Sequence, residues 1–111
     1  MHVQVYFTPL FNRKYKKYLK KYHSLSTDLK HFIENLSEAK PVNMGGSIFK
    51  YRLSVESKNK GKSGGFRIVS FEILVNESEK DITLITLYDK SEQDSISKAE
   101  ILEILKTENL L

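Results

Sequence analysis

The 111-residue chain contains no cysteine, which excludes disulfides, thiolate metal ligands and cysteine nucleophiles together. Nowhere does it hold the roughly 18 consecutive apolar residues of a membrane-spanning helix. Its opening, MHVQVYFTPLF, lacks a basic stretch followed by an apolar run. A soluble, cytoplasmic protein with no membrane partner is expected. No P-loop, dinucleotide fingerprint or nucleophile elbow is present. His2, His23 and His31 have no metal-ligand spacing and are expected at the surface or at an interface. The acidic stretches ESEKD and EQD match neither a calcium loop nor a two-metal nuclease, so no metal and no cofactor is expected. Internal repeats and low-complexity linkers are also absent. The length suits one hydrophobic core, hence a single domain over residues 1–111.

Acidic residues are scarce in the first part of the chain. Residues 1–67 hold 14 of the 18 Lys and Arg but only 4 of the 14 Asp and Glu, a balance of +10. Residues 68–111 carry a balance of −6. Such asymmetry concentrates positive potential on part of the surface and favours a polyanionic partner; two solvated faces of opposite sign are the alternative.

Periodicity divides the chain into short elements. HVQVYF alternates, with Val3, Val5 and Phe7 on one face of a strand. Thr8 and Pro9 supply an N-cap and first position for a helix. That helix carries Phe11, Tyr15, Tyr18, Leu19 and Tyr22 on one side and Arg13, Lys14, Lys16, Lys17, Lys20 and Lys21 on the other. The basic side could grip phosphates, remain solvated, or dock an acidic partner. A second helix starts near Ser26, with Leu29, Phe32, Ile33 and Leu36 at helical spacing, and Pro41 ends it. VNMGG reads as a turn.

Alternation resumes from Ser47 to Val55, and again in GFRIVSFEILV, where Arg67, Val69, Phe71, Ile73 and Val75 share a face. After the loop NESEK, the strand DITLITLYDK is apolar on both faces, as a central strand should be. Ser97 and Glu100 form a capping box for a last helix bearing Ile101, Leu102 and Leu105. The predicted fold is α+β, in the order β-α-α-β-β-β-α, with an antiparallel core and the helices packed on one face.

Arg67 is the most informative residue. A permanent charge among four apolar neighbours is costly unless that end of the face is open or meets an anion. Lys50 and Arg52 repeat the pattern one strand earlier. Between these strands runs KNKGKSGGFR, residues 58–67. Pairing of the two strands would bring Lys50, Arg52, Lys58, Lys60, Lys62 and Arg67 to one end of the sheet. Glycines 61, 64 and 65 would let a phosphate approach main-chain N–H groups closely, so Gly64 and Gly65 join the candidate phosphate-binding set. Tyr88 and Lys90 end the last strand and could point at the same basin. A solvated hairpin loop, a core tyrosine and a solubilising lysine are the plain alternatives for these features.

The run KGKSGGFRIVSF, followed by LYDKSEQDSIS and a closing amphipathic helix, resembles the HigB branch of the RelE/ParE toxins of bacterial type II toxin–antitoxin systems. The resemblance covers nearly the whole chain. It implies a RelE-like fold and a ribosome-dependent endoribonuclease that cuts mRNA in the decoding site without metal. By the same resemblance, the mRNA 2′-hydroxyl would attack the adjacent phosphate, leaving a cyclic phosphate and a 5′-hydroxyl. It also implies a protein antitoxin partner, of the HigA type with a helix-turn-helix DNA-binding domain.

By the branch's motifs, Lys60, Lys62 and Arg67 match the run KGKSGG-x-R and Tyr88, Lys90 and Glu92 match Y-x-K-x-E, which implies a catalytic role for Arg67, Lys60, Lys62, Tyr88 and Lys90. By strand position, Lys50 and Arg52 match a basic pair of the RelE group. That group carries a tyrosine near the closing helix where this chain reads DSISKAE, which leaves Tyr88 as the nearby substitute, and an arginine where this chain has Ser91. Two other functions fit the same basic strip: gyrase poisoning of the ParE kind, and RNA binding without catalysis.

Overall fold

A computed structural model describes residues 1–58 and 65–111. Strand β1 (His2–Phe7) leads through the Thr8 cap into helix α1 (Pro9–Lys21), where the Thr8 hydroxyl accepts from the Phe11 N–H at 2.9 Å. Helix α2 (Leu25–Glu34) follows, and a short 3-10 turn at Leu36–Glu38 separates it from Pro41. Strands β2 (Val42–Gly45), β3 (Ile48–Leu53), β4 (Phe66–Asn76) and β5 (Glu79–Asp89) come next. Helix α3 (Lys98–Thr107) closes the chain, and the Ser97–Glu100 capping box forms as expected. The three histidines are exposed, as expected.

The strands form one sheet in the order β1-β5-β4-β3-β2. β1 runs parallel to β5, whereas the β5-β4-β3-β2 pairs are antiparallel. The α+β class and antiparallel core are therefore as the sequence predicts. β5 lies inside the sheet, which accounts for its two apolar faces. VNMGG is not merely a turn. Val42 pairs with Lys50, Asn43 with Phe49 and Gly45 with Ile48, and Gly46 and Ser47 make the reversal, with φ +115° at Gly45 and +57° at Gly46. Four residues with one apolar alternation are too short for periodicity to reveal an edge strand.

The helices do not share one face of the sheet. Phe11 and Tyr18 of α1 and Leu25 and Leu29 of α2 pack with Tyr51, Leu53, Phe66, Ile68, Leu84 and Leu87. Ile101 and Leu105 of α3 pack instead with Val69, Ile85 and Tyr88, the alternate residues of the same strands. Alternate side chains point to opposite faces, so α3 covers the side opposite α1 and α2. Both faces of β4 and β5 are apolar, and each needs its own cover. A bulge at Ile85, where Val69 pairs with Thr86 and Ser70 with Leu84, shifts the side-chain phase along β5. It sets Leu84 and Leu87 on the α1 side and Ile85 and Tyr88 on the α3 side.

Candidate functional site

Strands β3 and β4 bring Lys50, Arg52 and Arg67 of the predicted cations together on the α3 side. In register, Arg52 of β3 lies opposite Arg67 of β4, and Arg67 lies opposite Tyr88 of β5. Lys50 lies opposite Val69, one pleat along on the same face. A cleft of about 260 Å³ opens here, lined by Val42, Lys50, Tyr51, Arg52, Arg67, Lys90 and Asp94. Arg52 is exposed, and Lys50, Arg67 and Lys90 are half-buried. Like charges placed directly across an antiparallel pair repel. Neither arginine has a carboxylate within ion-pair distance among the described residues. Among the described residues the Nη1 of Arg67 donates to the Phe66 carbonyl, at 3.2 Å.

Asp94 is the acid at this cleft, and Lys90 engages it. The Lys90 Nζ donates to Asp94 Oδ1 at 2.6 Å and to the Asp94 carbonyl at 2.8 Å. That hydrogen bond and the Lys90 charge, with a smaller contribution from Lys50, hold the Asp94 carboxyl below its usual range. The cleft therefore combines the guanidiniums of Arg52 and Arg67 and the ammonium of Lys50, none with an ion-pair partner among the described residues, with the tethered ammonium of Lys90. Such a place suits a phosphate, which a planar guanidinium grips through two parallel N–H bonds.

Tyr88 shares the face but not the cleft. It is 1% exposed and packs with Ile101 and Leu105 under α3. Its hydroxyl has no hydrogen-bond partner among the described residues. Burial raises its pKa, the Arg67 charge opposes that, and Asp94 and Glu100 add to it. Stacking on a base would require α3 to move off the ring. The core alternative describes its surroundings better.

Lys58 is drawn away from the basin. Its Nζ pairs with Asp89 at 3.2 Å, donates to the Ser91 hydroxyl at 3.2 Å, and lies 5.6 Å over the Tyr22 ring at the end of α1. Asp89 is 1% exposed and also accepts from the Tyr22 hydroxyl and the Ser91 N–H. A buried carboxylate draws the nearest cation, so Lys58 acts as a strut between the strand end and the α1 side. Gly65 has a packing reason to be glycine. Its φ is +93°, and a Cβ there would lie 2.8 Å from the Leu53 carbonyl oxygen. That carbonyl stands on the paired strand and cannot give way cheaply. Lys60, Lys62 and Gly64 lie outside the described residues.

Sequence reasoning missed the Asp89 network. Tyr18 donates its hydroxyl to Glu92 at 2.9 Å and receives the Asp89 N–H at 3.4 Å. Burial, reinforced by the Glu92 hydrogen bond, pushes the Tyr18 hydroxyl up to about 12. Glu92, matched to the branch motif, thus has a structural bond to α1. The one signal in LYDKSE was an acid next to a strand-end aromatic, and its partners lie far away in sequence.

The network has a consequence in acid. Burial pushes the Asp89 carboxyl up, but the Ser91 hydrogen bonds and the Lys58 charge outweigh it and leave the pKa lowered. A depressed folded pKa stabilises the protein above the ordinary carboxylate range of about 3.9. That stability is lost as pH falls through the folded value. Asp89→Asn is expected to cost about 3 kcal/mol at neutral pH, because Lys58 is left half-buried without its partner. Urea denaturation from pH 7 down to pH 3 checks this. The gap between wild type and variant should narrow toward acid, and a constant gap would refute the ion-pair assignment.

Comparison with protein-family models matches residues 3–110 to the family described as RelE toxin of RelE / RelB toxin-antitoxin system. The chain belongs to the RelE toxin family. No curated protein matches it. Membership makes this chain the toxin component of a toxin–antitoxin system, with an antitoxin as its partner. The match runs from β1 past the end of α3, so the cleft between β3, β4 and β5 lies within the family's own framework. Among the described residues no helix of the toxin is long and apolar enough to cross a membrane.

Proposed function

We propose that this toxin is a HigB-like, metal-independent endoribonuclease that cuts mRNA in the ribosomal decoding site and so inhibits translation in the cytoplasm. The observation that carries this reading is the direct pairing of Arg52 with Arg67 across two strands, flanked by Lys50 and Lys90. Cleavage by an internal 2′-hydroxyl adds negative charge to the phosphate in the transition state. Cations already in place around it lower the barrier without reorganising at the moment of reaction.

In this mechanism Arg67 clamps the non-bridging oxygens of the scissile phosphate. Lys50 and Arg52 hold the neighbouring backbone. The 2′-oxygen attacks phosphorus and loses its proton to a base, the bond to the 5′-oxygen breaks, and that oxygen takes up a proton. A cyclic phosphate and a 5′-hydroxyl remain. In this reading Lys90, once released from Asp94, protonates the leaving oxygen, and Lys60 or Lys62 serves as the base. Tyr88 supports the strand opposite Arg67. The antitoxin, proposed to be HigA-like, neutralises the toxin by covering this cationic cleft.

Primer extension on mRNA from a translating extract tests the reading. New ends inside codons are expected when the toxin is added, and none when its antitoxin is present. Intact mRNA with folded toxin overturns it, and intact mRNA with broken DNA would point to gyrase poisoning.

A further inference from the structure

The outward side of α1 has no place in the mechanism above. Arg13, Lys16, Lys17 and Lys20 recur at i, i+3, i+4 and i+7, and all four are exposed. They form one stripe about 10 Å long, given a rise of about 1.5 Å per residue. Lys14 and Lys21 flank it. Helix α1 contains no acidic residue, and none of the four stripe cations has an ion-pair partner among the described residues. Like charges three and four positions apart destabilise a helix. The stripe is therefore a liability to the isolated fold that an external polyanion would relieve.

We propose that this stripe is a second, separate docking surface for the phosphate backbone of double-stranded RNA. Three observations favour that partner. A protein interface needs an apolar or aromatic centre and is depleted in lysine, whereas the apolar residues of α1, Phe11 and Tyr18 foremost, are buried against the sheet. A membrane-surface helix must have its apolar face free, and here that face is occupied. Single strands are held by exposed aromatic platforms, and Tyr15, Tyr18 and Tyr22 lie on the sheet side of the helix. What remains is a ridge of cations that reads backbone charge without sequence.

Position adds to the argument. Helix α1 covers the sheet face opposite the Arg67 cleft. A structured RNA on α1 and a single strand at the cleft can therefore be held at the same time. The choice of RNA over DNA rests on the proposed function; the phosphate-binding stripe itself does not.

The test uses the full-length toxin and a 20-base-pair RNA hairpin of arbitrary sequence, followed by fluorescence anisotropy from 50 to 200 mM salt. The variant Arg13→Gln/Lys16→Gln/Lys17→Gln/Lys20→Gln keeps good helix formers. It is expected to weaken binding by about tenfold or more, and to reduce the slope of log K against log salt by about 3. Its melting temperature should equal or exceed that of wild type, since repulsion is removed. Lys16→Arg/Lys17→Arg/Lys20→Arg, which keeps the charge, should bind like wild type.

Equal binding by wild type and the Gln variant overturns the proposal. So does tighter binding of an acidic peptide or of anionic lipid vesicles than of the hairpin. A duplex DNA of equal length bound tenfold tighter would overturn the assignment to RNA. None of these readouts involves cleavage, so the nuclease reading stands or falls separately in the translating extract.

Discussion

Arg67→Ala is expected to leave the toxin folded and to lower mRNA cleavage and growth arrest by about 10²- to 10³-fold, the usual effect of removing one preorganised donor from a developing anion. The guanidinium of Arg67 is half-buried and spends one N–H on the neighbouring carbonyl. Its remaining donors have no carboxylate partner among the described residues. Removing it breaks no ion pair and relieves the repulsion from Arg52 across the ladder. Stability should therefore be unchanged or slightly higher. Arg67→Lys restores charge without the planar fork and should recover only part of the activity. Primer extension and a growth assay in cells lacking the antitoxin check the series. Wild-type cleavage by Arg67→Ala would remove this residue from the mechanism.

Phe66→Ala, one residue earlier, is expected to act on stability instead. Phe66 is fully buried on the opposite face. Tyr18 and Tyr22 meet its ring edge-on, at centroid distances of 4.7 and 5.6 Å. Loss of the ring leaves a cavity between α1 and the start of β4, at a cost of about 3–5 kcal/mol. The aromatic contacts are included in that range. Against a total stability of about 5–15 kcal/mol for a domain of this kind, the variant should unfold at much lower urea. Phe66→Leu, which keeps most of the volume, should lose far less. A Phe66→Ala midpoint close to wild type would mean that this end of the core collapses freely. Neighbouring residues on one strand thus divide the work. Phe66 anchors β4 to the α1 side, and Arg67 is turned to the cleft because of it.

Much of this was legible in the chain. The Thr8 cap, the Ser97–Glu100 box and the amphipathic faces of all three helices depend on residues within about one turn of each other. The alternation placing Lys50 and Arg52 on one face of β3, and Arg67 on one face of β4, is equally local. The hairpin of β4 and β5 follows from the short connection between them, and β3 beside β4 from the tendency of consecutive strands to pair. Arg67 was recognisable as a site residue because a charge in an apolar row is costly wherever the row ends up.

Lys58 shows where such reading stops. It stood in the same basic run as its neighbours, and nothing nearby marked it as different. Its destination was decided by Asp89, a strand-end acid that becomes buried only when β4 and β5 pair. Tyr88 shows the same limit from the other side. Its position at a strand end left the basin and the core both open to it, and α3, folding over it, decides for the core.

The amino-acid order by itself determined which residues share a face of each helix or strand, where the helices begin, and that the positive charge concentrates in the first part of the chain. Only the tertiary structure decided that Arg52 and Arg67 meet across a ladder, that α3 takes the face opposite α1 and α2, and that Lys58 leaves the basin. The physical reason is range. Periodicity and capping act within a few residues, whereas register, the choice of sheet face and the pairing of buried charges depend on groups that meet only after the chain has closed on itself.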